Sequence, residues 1–202
     1  MPEYTKAQKQ IRADEGEVKN ENGFWQSVND KDKHKVYKDT EGKYTVGNGH
    51  LLTNPELKKL KETQVGLTPE GMEITQEEAD EWFAADLKDA NDDVEALYGD
   101  IPMAEEQREV LVNMAFNLGR KGLRKFKQMR KGLVAGDSKK VAHEMQFTWD
   151  KKNNKYKTSD WYEQVKGRGK RLVGQVAKIP STGKFDPKLD ALGMYDTEFR
   201  EY

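Results

Sequence analysis

The chain of 202 residues contains no cysteine. That excludes a disulfide framework and a cysteine-based zinc site. It also fits synthesis in a reducing compartment. Net charge is nearly absent, because 35 basic side chains stand against 36 acidic ones. Bulk attraction to nucleic acid or to an anionic membrane is therefore not expected. One local basic run, GRKGLRKFKQMRKG at 119–132, reads as a solvated helix face. Long apolar runs are missing too. No stretch approaches the ~20 apolar residues of a membrane span. The first residues, MPEYTKAQKQIRADEGEVKNENG, lack the apolar centre of a signal peptide. A protein made in the cytoplasm without its own signal, and not inserted in a membrane, is the expectation. Histidine is scarce: His34, His50 and His143 are not paired at ligand spacing. No metal and no cofactor are expected.

What is present is enough apolar sequence for a core at this length. Residues 5–15 read as a short helix, stopped by Gly16. From 17 to 35 the chain is polar, with NENG and NDKDKHK as turn signals. Phe24 and Trp25 interrupt it; pinning this loop to the fold is the expectation, facing a ligand the alternative. KVYKDTEGKYTVGNGHLLT then predicts a hairpin or small sheet, with Tyr44, Thr45 and Val46 in a strand.

ITQEEADEWFAADLKDANDDVEALYG is the clearest helix. Thr75 and Glu78 make a capping box, and Ala79, Trp82, Phe83, Leu87, Ala90, Val94 and Leu97 recur at helical spacing. EEQREVLVNMAFNLG predicts a second helix closed by Gly119. Two shorter helices, a polar insert (TWDKKNNKYKTSD), a helix over 160–178 and a broken tail follow. Strands and helices are segregated, which argues an α+β fold. Its small β-sheet lobe, about 12–74, would be joined by the helix 75–98 to a larger helical lobe, 100–178. One domain would span 1–186, with an extension at 187–202. A cleft between lobes is a favoured ligand site.

VGNGHLL does not make a phosphate cradle. Leu52 stands where a dinucleotide fingerprint wants its third glycine, and no helix opens there to supply aligned amides. The two glycines read instead as a strand bend or a close backbone approach. Carboxylates remain. Glycosidic hydrolysis needs one carboxylic acid to protonate the leaving oxygen and a second carboxylate to activate water or attack. Glu15 ends a helix beside Gly16, Asp39 opens the hairpin turn, and Thr45 lies across that hairpin. By spacing alone, any one of these acids is equally a solvated surface charge.

The order of motifs is more specific. IRADEG, followed by YKDTEGKYTVGNGHLL, resembles the T-even bacteriophage lysozymes (endolysins) of glycoside hydrolase family 24. ITQEEADEWFAADL is similar to that family's interlobe helix and VNMAFNLG to its buried core helix. DWYEQVKGRGKR is similar to its Trp-Tyr…Arg…Arg segment, and STGKFD to its aromatic-Asp ending. The resemblance spans roughly residues 7–186, broken by inserts. It implies a lysozyme-like fold and an inverting muramidase acting on bacterial peptidoglycan as a monomer. Glu15 matches the general acid, Asp39 the residue that orients and deprotonates water, and Thr45 its partner on that water. Inversion implies carboxyl groups ~6.5–9.5 Å apart. Leu51 and Phe116, with Glu41 and Gly49, match substrate-contacting positions, and Asn117 stands at another where the relatives often have Gln. Arg168 and Arg171 match arginines that pair with the Asp14–Glu15 region. His50 and Asp86 match a structural ion pair between sheet and long helix.

There are departures. Met129 and Glu144 stand where relatives offer Ser and Asn. Inserts occupy 17–35 and 148–158, and the first lies between the expected acid and base. Two other chemistries fit parts of the pattern: a lytic transglycosylase using Glu15 alone, and a non-catalytic wall-binding virion protein. Delivery to the wall would be by holin release or by carriage in the virion.

Overall fold

The computed structural model describes residues 5–16, 33–39 and 42–195, with side chains of the first segment only as far as Asp14. The Glu15 side chain, Phe24, Trp25 and Glu41 thus lie outside the described residues. The chain divides into two compact units, residues 1–88 and 89–202.

In the first unit, α1 (Lys6–Gly16) begins at a reciprocal cap. Gln8 N–H donates to Thr5 Oγ1 at 3.2 Å, while Thr5 N–H donates to Gln8 Oε1 at 2.9 Å. Ile11 is the buried anchor of this helix. Four short strands follow: β1 (Lys33–Lys35), β2 (Tyr37–Lys38), β3 (Tyr44–Val46) and β4 (His50–Leu51). After α2 (Asn54–Thr63) and a 3₁₀ turn at Pro69–Gly71 comes β5 (Glu73–Thr75), which pairs antiparallel with β1. Strands β2, β3 and β4 form a separate antiparallel sheet with β3 in the centre. Val36, Val46, Leu52, Leu60, Met72, Ile74 and Ala79 make the core of this unit.

Several elements here depart from the expectation, β1 and α2 among them. Residues 33–35 were expected within a polar loop, yet they form β1. The cause is His34, which is buried and donates from Nε2 to Gln76 Oε1 at 2.9 Å. A single buried histidine between lysines leaves no apolar alternation to detect. The second is α2, capped by a full Thr53–Glu56 box. Behind it, the Gln64 amide donates to Glu73 O at 2.7 Å and accepts from Glu73 N at 2.9 Å. A side chain there substitutes for a neighbouring strand at the edge of β5.

The long helix α3 (Gln76–Tyr98) starts at a reciprocal Thr75–Glu78 cap and contains the boundary between the units. The second unit continues with α4 (Glu105–Leu123), α5 (Lys127–Val134), α6 (Ser138–Gln146), β6 (Phe147–Asp150) and β7 (Lys155–Thr158). It ends with α7 (Asp160–Val165), α8 (Gly167–Lys178) and α9 (Pro187–Ala191). Gly119, expected to close α4, is non-helical at φ 61°, and a further helical turn follows the kink. The single helix expected over 160–178 is two helices, separated at Lys166 with φ 46°.

The basic run at 119–132 is not solvated throughout. Arg130 is 3% exposed, donates to the Leu97 carbonyl, and lies 3.2 Å from Asp100. Met129 beside it is fully buried. Apolar partners reach this stretch from elsewhere in the chain, so its own charge content misleads. The polar insert at 148–158 forms most of the β6–β7 hairpin, in register Trp149↔Tyr156. The expected tail is also tied down. Phe185 N–H donates to Asp137 Oδ2 at 3.0 Å, and Lys131 pairs with Asp190 at 2.7 Å.

Candidate functional site

The β2–β3–β4 sheet carries most of the expected site residues of the first unit. Its register sets Tyr37 opposite Thr45, and Thr45 opposite Leu51. Opposed residues project from the same face, and neighbours along a strand alternate. Val46 and Tyr44 therefore face the core, while Tyr37, Thr45 and Leu51 form a row on the other side.

Asp39 extends β2 by one residue, donating its N–H to Lys43 O at 2.9 Å. Its carboxylate accepts the Lys43 N–H at 2.9 Å, and its own carbonyl accepts Gly42 N–H at 3.0 Å. Parity along β2 puts Asp39 on the face of Tyr37, and hence of Thr45. The two are diagonal cross-strand neighbours, a spacing of about 7–8 Å. Thr45 is 4% exposed and donates its hydroxyl to Lys43 O at 3.4 Å. Leu51 beside it is 48% exposed.

The turn between β3 and β4 is Gly47–Asn48–Gly49. Gly47 has φ 59° and Gly49 φ 85°. A Cβ on Gly47 would meet Ala79 Cβ at 3.2 Å, so the glycine serves both a left-handed backbone and a close approach to α3. Gly49 belongs to this turn by its conformation.

His50 pins the same sheet to α3. Its Nδ1–H donates to Asp86 Oδ2 at 2.8 Å, with Oδ1 at 3.0 Å. On the other side Nε2 stands 3.3 Å from Glu56 Oε2, and the ring lies 4.7 Å from that of Trp82. Burial opposes a charge on His50. The hydrogen bond to Asp86 and the charges of Asp86 and Glu56 outweigh it, so the imidazole pKa is raised above its ordinary value. For Glu56, burial is outweighed by hydrogen bonds from Thr53 and the charge of His50, and its pKa is lowered.

Glu15 lies in the last turn of α1. The helix that carries it is tied to α3 by Arg12, whose Nη2 is 2.6 Å from Asp80 Oδ1 and whose guanidinium stands 5.9 Å from the Phe83 ring centre. Sequence reasoning missed the Arg12–Asp80 pair, because nothing local links two polar residues so far apart in the chain. Asp14 accepts a hydrogen bond from Gln10 at 3.2 Å.

The remaining expected residues lie in the second unit. Phe116 and Asn117 are half-buried on α4, just before its kink, and Asn117 Oδ1 has no hydrogen-bond partner. Arg168 and Arg171 are half-buried on α8, three positions apart and so on neighbouring turns. Met129 is in the core, and Glu144 is buried against Lys140 at 3.0 Å. Among the described residues no group of three or more His, Cys, Asp or Glu is arranged to hold a metal ion. None of their helices is long and apolar enough to cross a membrane.

Short antiparallel sheets set among helices define a lysozyme-like α+β protein. Residues 30–169 match the phage lysozyme family model, and the chain belongs to the phage lysozyme family, a family of glycoside hydrolases. The matched span includes Asp39 and Thr45 and begins after Glu15. The chain is 35% identical over 151 residues to the pre-baseplate central spike protein Gp5 of Enterobacteria phage T4, covering 69% of this chain and 24% of that protein. It thus spans about a quarter of the spike protein's length. It is 29% identical over 157 residues to probable T4-type lysozyme 2 of Dictyostelium discoideum, covering 70% of this chain and 85% of the relative. Probable T4-type lysozyme 1 of the same organism is 27% identical over 160 residues.

Proposed function

We propose that this chain is a peptidoglycan hydrolase, a muramidase that cleaves the β-1,4 bond between N-acetylmuramic acid and N-acetylglucosamine with inversion. The observation that carries the reading is the shared face of Asp39 and Thr45 on the β2–β3 hairpin, within the residues that match the phage lysozymes.

In this mechanism the Glu15 carboxylic acid gives its proton to the glycosidic oxygen as the C–O bond breaks. A water attacks the anomeric carbon from the opposite face. Asp39 takes the proton that this water loses, and the Thr45 hydroxyl holds the water in line. Backbone anchoring suits Asp39 to the task. One carboxylate oxygen accepts the Lys43 N–H, which fixes the rotamer of the side chain on the face it shares with Thr45. Thr45, held between Tyr37 and Leu51, offers a hydroxyl of defined position.

Digestion of purified sacculi tests the reading. The expected products are reducing muramic acid ends, initially of inverted anomeric form. Products ending in 1,6-anhydromuramic acid would refute hydrolysis, because they arise by intramolecular attack without water. Glu15→Gln should lower turnover by at least about 10²-fold, the usual worth of a positioned acid. Residual activity above about 10% of the parent would remove Glu15 from the acid role. Asp39→Asn should be comparably severe.

A further inference from the structure

The hairpin insert of the second unit is not used by the mechanism above. Its two strands set Trp149 directly across from Tyr156, ring centres 5.1 Å apart and edge to face. Tyr156 also meets the edge of His143 at 4.7 Å, and its hydroxyl is 3.5 Å from the buried Glu144 carboxylate. The rings thus form a row that starts on α6 and runs out along one face of the hairpin. Cross-strand pairing accounts for the contact between the rings. It does not account for their exposure, 46% for Trp149 and 47% for Tyr156. Neither ring is used to fill a core.

Charge is concentrated beside them. The strand–turn–strand segment DKKNNKYK holds four lysines and one aspartate, in a chain whose net charge is −1. The aspartate is satisfied by the turn itself. Asp150 accepts from Lys152 N–H at 2.9 Å and from the Asn153 amide at 2.6 Å. Lys151 and Lys152 project at the exposed tip.

We propose that the β6–β7 hairpin is an accessory binding surface for peptidoglycan, with sugar rings stacking on Trp149 and Tyr156 and stem-peptide carboxylates paired with Lys151 and Lys152. It rests on the peptidoglycan reading given above. Two features favour this polymer over other partners. A pyranose has an apolar C–H face that an exposed aromatic ring covers well, while its hydroxyls stay in water. The wall polymer also repeats carboxylates along its length, which complements a lysine-rich tip. His143 and Glu144 hold Tyr156 from behind, so little ring motion is lost on binding.

The test uses the full chain carrying Glu15→Gln, so that bound wall is not digested, in pelleting assays with purified sacculi. On that background Trp149→Ala should weaken binding by about five- to tenfold, the loss expected for one half-exposed ring. Lys151→Glu with Lys152→Glu should weaken it severalfold at low salt, with the difference vanishing near ~0.5 M salt as screening sets in. The lysine tip packs on nothing in the core, so that variant keeps the test valid if Trp149→Ala loosens the hairpin. Equal pelleting of parent and both variants would overturn the proposal. So would sacculus binding unchanged by either variant, together with lysine-dependent pelleting on phosphatidylglycerol vesicles, which would assign the hairpin to a lipid surface. Reducing-end release by the unsubstituted chain is measured separately. Its failure would sink the hydrolase reading while the pelleting assay still reports on the hairpin.

Discussion

Replacing His50 and Asp86 by alanine, singly and together, measures the pin between the small sheet and α3. The hydrogen bond is charge-assisted, 2.8 Å long, and its side chains are 13% and 29% exposed. Bonds to charged groups contribute a net ~1.5–3 kcal/mol, and the partial exposure of Asp86 places the coupling at about 1–2 kcal/mol. His50→Ala should cost more than Asp86→Ala, because it also removes a ring packed at 4.7 Å on Trp82. The coupling must depend on pH with a definite sign. The folded pKa of His50 is raised. Its charge-dependent stabilisation is therefore complete below the free imidazole value of about 6.5 and lost as pH rises through the folded value. Above that, the ion pair is lost and only a neutral imidazole N–H donated to the Asp86 carboxylate remains, so the coupling is smaller. Urea unfolding at pH 6 and pH 9, followed by tryptophan fluorescence, gives the four free energies at each pH. A coupling below ~0.3 kcal/mol at pH 6, within the error of additivity, would refute the reasoning. A coupling that grows from pH 6 to pH 9 would refute it equally.

Glu56 works in the opposite direction. Its lowered pKa means that its contribution is present above the free carboxyl value of about 4.3 and disappears as pH falls through the folded value, so Glu56→Gln should flatten the acid limb of the stability profile. An unchanged acid limb would show that Glu56 is not part of the His50 cluster in solution. Gly47→Ala should cost at least about 1–2 kcal/mol, since it forces a side chain into a left-handed conformation and against Ala79. A urea midpoint equal to the parent's would count against this. Arg130→Met should cost about 2–4 kcal/mol, because it leaves the Leu97 carbonyl without its donor and Asp100 without its cation. Asp100→Asn, at a site one-third exposed, should cost less than about 1 kcal/mol. The reverse order in chemical unfolding would overturn the assignment of Arg130 as the buried partner.

Much of the architecture was legible in the chain because its signals are local. The cap at Thr75 and Glu78 and the apolar periodicity after it predict α3, and α3 is there. A β-branched and aromatic triplet bounded by glycines predicts β3, and the register places Thr45 within it. The same locality set the errors. Residues 33–35 are lysine-rich and owe their strand to β5, far along the chain, whereas in 54–63 and 148–158 a polar composition masked local signals, the Thr53–Glu56 cap and a short hairpin turn. Arg130 looked solvated among its neighbours, while its partners, the carbonyl of Leu97, the carboxylate of Asp100 and the Tyr98 ring, lie some thirty positions away.

By itself, then, the sequence determined the α+β class, the long helix, the hairpin and the family resemblance. Period, caps and turn residues are written within a few positions of one another. Only the tertiary structure decided that Asp39 and Thr45 share a face, that His50 bonds Asp86 and approaches Glu56, and that Arg12 ties α1 to Asp80. It also turned an uninterpreted polar insert into a hairpin with two open aromatic rings. Some of these, such as His50 with Asp86 and Arg12 with Asp80, are pairings across long loops. Their free energy comes from burial and directed hydrogen bonds that exist only once the chain has folded back on itself.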